Sequence, residues 1–179
     1  MEYVKDCFGQ PLEIGDEVYW ANKIAGQKRS VDRCTVLGFT PTGQTKLRLA
    51  SGEARNAVFD ESLAKATPAE DQTLHVGDAV LCLRMQVGTR CSLEIHEVVK
   101  VTNKRVTVRT DSRYHPIITV NRDCVVRVTA DEKQRLLALG AVYRQECLKA
   151  MDEYFARIDA QGGNPFKRSG NSLVFNDGK

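Results

Sequence analysis

Basic side chains crowd one short stretch of the chain, Lys104-Arg105-Val106-Thr107-Val108-Arg109-Thr110, and Arg113, Tyr114 and His115 follow within a few residues. On an extended backbone Val106 and Val108 share one face, and Arg105, Thr107 and Arg109 share the other. Guanidinium and ammonium groups contact phosphate oxygens, hydroxyls add hydrogen bonds, and an exposed aromatic ring stacks on a base. The chemistry that fits is therefore nucleic-acid binding, with Lys104, Arg105, Arg109, Arg113 and Tyr114 as candidates and Tyr19 as a second stacking ring. The alternative is a solvated strand face whose charges are paired, since Glu94, Glu97, Asp111 and Asp123 lie nearby in sequence. A second basic stretch, Asn22 to Arg33, carries Lys23, Lys28, Arg29 and Arg33 around Gly26 and reads as a long polar loop.

Other chemistries find less support. His75, His96 and His115 are far apart in sequence, and none stands at zinc spacing from a cysteine pair, so no metal is expected. Cys91 with His96 and Glu97 is the one local arrangement of nucleophile, base and acid, and a strand cysteine beside a surface histidine is the simpler explanation. The chain has neither Gly-x-x-x-x-Gly-Lys-Ser/Thr nor Gly-x-Gly-x-x-Gly, so no phosphate-cradling loop is expected. No catalytic residue, metal or cofactor is assigned, and a non-enzymatic protein is expected.

The elements that must position the basic stretch occur twice. Leu12-Glu13-Ile14-Gly15-Asp16-Glu17-Val18-Tyr19-Trp20 and Leu74-His75-Val76-Gly77-Asp78-Ala79-Val80-Leu81-Cys82 stand 62 residues apart, Gly15 against Gly77 and Asp16 against Asp78. Glycine admits a positive φ at a tight turn, Asp bonds nearby backbone amides, and the alternation that follows predicts a strand. Asp16 and Asp78 thus have a turn role that needs no catalysis. Each copy runs on through four more short apolar segments separated by Gly, Asn, Asp and Pro, a pattern of small barrels or sandwiches. The second opening strand is apolar on both faces, Val80 and Cys82 against Leu81 and Leu83, so both faces are expected to be covered.

With Gly15-Asp16-x-Val18 and Gly77-Asp78-x-Val80 on first strands, the chain resembles a tandem of SH3-like barrels of the Tudor/KOW kind. Val36-Leu37-Gly38-Phe39 and Val98-Val99-Lys100-Val101 on second strands, and the closing runs Leu63-Ala64-Lys65-Ala66 and Val125-Val126-Arg127-Val128, carry the resemblance over residues 10–128. The phrase Asp6-Cys7-Phe8-Gly9 ahead of the first opening is similar to small proteins of bacteriophages, which would place the protein in a host-cell cytoplasm. The fold expected is mainly β with a C-terminal helix, two tandem SH3-like barrels followed by a long amphipathic helix. Residues 1–66 would form the first barrel, 67–73 a linker, 74–128 the second barrel, 129–160 the helix and 161–179 a flexible tail.

Thr129-Ala130-Asp131-Glu132 fits a capping box. The stripe that follows, Leu136, Leu139, Tyr143, Cys147, Met151, Tyr154 and Ile158, predicts core packing, with Gly140 as a kink. A helix of about 30 residues reaches roughly 45 Å, more than one small barrel covers, which leaves room for pairing with a second copy as a homodimer. In the tail, Leu173-Val174-Phe175 is a candidate short strand within a segment expected to be disordered. Net charge is +3, too small for a polycation. There is no apolar run of about 18 residues and no signal-peptide character at Met1-Glu2-Tyr3, so a cytoplasmic protein with free thiols and no membrane contact is expected. The partner expected is RNA or single-stranded DNA. A protein-binding adaptor or an inhibitor of a host protein is the alternative, and Tyr19, Phe39 and Phe59 clustered in a groove would favour it.

Overall fold

The computed structural model describes residues 4–22, 29–57, 60–85, 91–160, 166–169 and 172–175. Lys23, Lys28 and Phe59, named above, lie outside them. The chain is mainly β, with two five-stranded antiparallel sheets and one C-terminal helix. The first module contains β1 (Glu17–Asn22), β2 (Ser30–Phe39), β3 (Thr45–Leu49), β4 (Ala54–Ala57), a 3-10 turn at Asp60–Ser62 and β5 (Leu63–Ala64). The second repeats it with β6 (Ala79–Met85), β7 (Cys91–Val101), β8 (Arg105–Arg109), β9 (Ile117–Asn121), a 3-10 turn at Arg122–Cys124 and β10 (Val125–Val128). Strand order is β4-β3-β2-β1-β5 in one and β10-β6-β7-β8-β9 in the other, so the last strand of each module pairs with its first. Among the described residues no ladder joins the two edges of either sheet, and the barrels expected from sequence are seen as open sheets.

The repeated turn shows why the modules match. Gly15 has φ +95° and Gly77 φ +92°, left-handed values that a side chain would strain. Asp16 accepts the Glu13 amide at 2.8 Å, and Asp78 accepts the His75 amide at 2.7 Å. The Gly15 amide donates to the Val36 carbonyl and the Gly77 amide to that of Val98, each at 2.8 Å. Each aspartate then meets a cation 49 residues on: Lys65 Nζ lies 2.8 Å from Asp16, and Arg127 Nε 3.1 Å from Asp78. The turn thereby ties the first strand to the second through backbone and to the last through charge.

Alternation along each strand builds three cores. Leu12, Val18, Trp20, Val36, Leu47 and Leu63 fill the first module. Leu74, Val80, Cys82, Val98, Val106 and Val108 fill the second. The opposite faces of β1 and β6 meet in a third, where Tyr19 and Ala21 pack with Leu81, Leu83, Leu93 and Leu136. This third core covers the outer face of β6 that its double apolar pattern required. The segment between the modules is bound along β10: Ala69 donates to the Arg127 carbonyl at 2.9 Å, and Pro68 bridges Val128.

The helix α1 (Ala130–Ala160) starts as its capping box implies, and the box is half used. Glu132 donates its amide to Thr129 Oγ1 at 3.2 Å, but its carboxylate turns to the Thr67 amide at 2.9 Å and to Arg135 at 2.7 Å. Hydrogen bonding to Arg135 holds this carboxyl below the usual range, against the effect of its burial. The helix runs unbroken through Gly140, where an added Cβ would stand 3.2 Å from Phe8 Cδ1; the glycine serves close approach. Leu136 is fully buried, whereas Met151 and Tyr154 are about half exposed and Cys147 is exposed. The expected apolar stripe is therefore not a core stripe along its whole length.

Met1–Gly140 forms one compact body and Ala141–Lys179 another. In the latter, β11 (Phe166–Ser169) pairs with β12 (Ser172–Phe175) as an antiparallel ribbon where a tail was expected.

Candidate nucleic-acid interface

Strand β8 presents its residues as the alternation dictates: Val106 and Val108 are buried, Arg105 and Arg109 exposed and Thr107 half-buried between them. Its register with β9 sets Arg105 opposite Asn121, Thr107 opposite Thr119 and Arg109 opposite Ile117. The threonine hydroxyls bond across the pair at 3.0 Å. The outer face therefore carries arginines at both ends, hydroxyls in the centre and Ile117 beside Arg109. Arg109 lies 3.9 Å from Glu97, a loose pair open to solvent. Lys104, Arg105 and Arg113 meet no carboxylate within ion-pair distance among the described residues, so the paired-charge alternative holds for Arg109 alone.

The β8–β9 loop is shaped by Thr110, whose amide donates to the Pro116 carbonyl at 2.8 Å and whose hydroxyl donates to the His115 carbonyl. The Ser112 amide in turn donates to Thr110 Oγ1 at 3.2 Å. With its base tied, the loop holds Arg113 and Tyr114 at its tip, and Tyr114 is 89% exposed.

Tyr19 requires correction as a stacking residue. It is 7% exposed and sits in the core shared by the modules, far from availability to a base. Burial also pushes its phenol up, the Arg33 guanidinium opposing. Phe39 packs against the first module's core, so Tyr19 and Phe39 do not share a groove.

A cleft of about 590 Å³ adjoins the basic face. Arg29, Arg84, Arg105 and His115 stand around it, and among the described residues its lining contains neither Asp nor Glu. Leu83, Ile118 and Val120 make its apolar part. Arg29 arrives from the first module, where its backbone carbonyl accepts the Cys124 thiol at 3.4 Å. Arg84 is held by Glu94 at 2.8 and 3.1 Å. Burial alone would raise the Glu94 carboxyl, but Arg84 and the neighbouring His96 outweigh it and keep the group below the usual range. His96 Nε2 lies 3.2 Å from Glu94. Sequence reading placed Arg29 in a polar loop of the first module, did not name Arg84, and did not join the two, because 55 positions separate them.

The nucleophile candidate does not assemble. Cys91 and His96 occupy one extended strand at odd and even positions, on opposite faces and about 16 Å apart along it. Burial pushes the Cys34 and Cys82 thiols up to about 12, which suits core packing and not thiolate chemistry. Among the described residues no helix is long and apolar enough to cross a membrane.

Residues 72–128, about a third of the chain, match the model of a domain of unknown function (DUF7205). The match coincides with the second module and contains the basic strand, its loop and most of the cleft. No curated protein matches the chain.

Proposed function

We propose that the protein is a non-enzymatic nucleic-acid-binding protein that holds RNA or single-stranded DNA on the basic face of its second module. The observation that carries this reading is that Lys104, Arg105 and Arg113 meet no carboxylate among the described residues, beside a fully presented Tyr114. Lys104, Arg105, Arg109 and Arg113 contact phosphates, Thr107 and Thr119 bond sugar or phosphate oxygens, and Tyr114 stacks on a base. A single strand is favoured over a duplex because the face is a sheet with a projecting ring, without a helix to enter a groove.

In the same reading the modules are SH3-like barrels of the Tudor/KOW kind. Five strands each, the fifth paired with the first and a 3-10 turn before it, support that assignment.

The test is fluorescence anisotropy of labelled RNA, single-stranded DNA and duplex DNA of about 12 nucleotides or base pairs. Wild type is expected to bind the single strands more tightly than the duplex, and the Arg105→Glu/Arg109→Glu pair to lose at least about tenfold, or about 1.4 kcal/mol. Equal binding by the pair would remove the face from the mechanism.

A second reading rests on the helix surface, where Val142, Met151 and Tyr154 are exposed. On that reading the chain is a protein-binding adaptor, an inhibitor of a host protein or a homodimer through α1, and nucleic acid would not bind at low salt.

A further inference from the structure

The cleft asks for more than a phosphate. Its polar wall has Arg29 and Arg105 with no carboxylate among the described lining residues, so an anion is favoured there. Leu83, Ile118 and Val120 give it an apolar side, which a simple inorganic anion would leave unused. At about 590 Å³ it lies within the range of small-molecule sites, roughly 300–1,000 Å³. A splayed nucleotide combines these features: a flat, largely apolar base edged with hydrogen-bonding groups, and a phosphate beside it. Thr119 and Asn121 line the same cleft and offer hydroxyl and amide groups to base edges. Part of the wall is held before any ligand arrives: two residues by their backbone and one by its side chain. Arg29 is anchored through its carbonyl to Cys124, His115 through its carbonyl to Thr110, and Arg84 through Glu94.

We infer that this cleft is a nucleotide seat built by both modules, which takes one unstacked base of a bound single strand together with an adjoining phosphate. The inference rests on the nucleic-acid reading above and deepens it. The open face of β8 holds the backbone, and the strand turns one base into the cleft past Arg105, which belongs to both surfaces. A duplex keeps its bases paired inside and cannot fill the seat without opening. Discrimination against duplex therefore comes from the cleft, and general affinity from the face.

Two variants separate these roles. Arg29→Glu reverses charge on the first module, away from β8; the Arg29 side chain is exposed, and its carbonyl contact to Cys124 survives the change. Asn121→Ala removes the amide that the cleft offers to a base edge and leaves the charge of the face unchanged; Asn121 makes no side-chain cap for the 3-10 turn that follows, so the fold loses little. With full-length protein, single-stranded RNA is expected to bind about tenfold more weakly to each variant, while duplex binding changes by less than about twofold. A 5′-phosphorylated dinucleotide is expected to compete for wild type at concentrations where inorganic phosphate does not.

If both variants bind single strands as wild type does, while Arg105→Glu/Arg109→Glu does not, the seat is overturned and the face stands. Equal losses for single strand and duplex also overturn the seat, as does competition by phosphate equal to that by the dinucleotide. If wild type binds no strand at low salt, the nucleic-acid reading itself falls.

Discussion

The two modules share a scaffold and differ in what they leave open. Both carry the Gly-Asp turn, the same carbonyl and amide pairings across it, and an aspartate paired with a cation at the end of the module, Lys65 just after β5 and Arg127 on β10. Lys46 and Arg48 on β3 correspond to Thr107 and Arg109 on β8, so each module has a basic outer strand. Around β3, however, Arg33 pairs with Glu17 and Arg55 with Glu53, and the neighbouring strand offers Ala54 and Asn56. Around β8 stand Lys104 and Arg113, with no carboxylate partner among the described residues, exposed Tyr114 and a cleft that Arg29 of the other module helps to close. The repeat thus preserves what folds the module, and on the proposed reading the loop chemistry decides which copy binds.

That comparison can be broken first at the cores. Leu47 lies in the first module's own core and Leu81 in the core the modules share, and both are fully buried. Replacing either by Ala removes apolar contact and leaves a cavity, costing about 2–5 kcal/mol. Because β1 and β6 face each other through the shared core, each variant is expected to unfold in one transition. Two transitions on heating Leu47→Ala would show the modules to be energetically separate.

A smaller effect sharpens the equivalence of the turns. Asp16→Ala and Asp78→Ala each strand a backbone amide and remove an ion pair, at about 1–3 kcal/mol. Asp78 is expected to cost more, since its partner Arg127 is less exposed than Lys65, at 26% against 39%. Chemical denaturation of both variants measures this, and a reversed order would contradict the matched roles.

The smallest effect lies at the joint. Glu132 is held low by Arg135, so its contribution is complete above the ordinary carboxylate value and is lost as pH falls through its lowered folded value. Glu132→Gln is expected to destabilise by about 1 kcal/mol near pH 7, the exposed side of Arg135 limiting the effect, and by much less near about pH 3. Thermal unfolding at the two pH values reads it. An equal loss at both would assign the residue a packing role only.

Local signals reached far into this fold. Gly15-Asp16 and Gly77-Asp78 announced the turns, and the alternation Arg105-Val106-Thr107-Val108-Arg109 placed each side chain on its observed face. Thr129 announced the helix start. What escaped depended on long-range packing. Tyr19 looked like an outward ring because alternation sets it opposite Val18 and Trp20; nothing local says that another module covers that face. Arg29 and Arg84 join one cleft through contacts between modules, which no spacing encodes. The helix pattern past Gly140 has the period of a buried stripe, yet Met151 and Tyr154 lie open. Periodicity reports the capacity to bury a face and does not supply the partner.

The most direct test of the central claim compares the two basic faces on one ligand. Binding of labelled single-stranded RNA is measured between about 50 and about 200 mM salt for wild type, Arg105→Glu/Arg109→Glu and Lys46→Glu/Arg48→Glu. Three or four phosphate contacts would give wild type a slope of log affinity against log salt of about −2 to −3. The account expects the β8 pair to lose affinity at least about tenfold with a shallower slope, and the β3 pair to stay within about threefold. Equal losses from the two faces, or wild-type binding insensitive to salt, would contradict it.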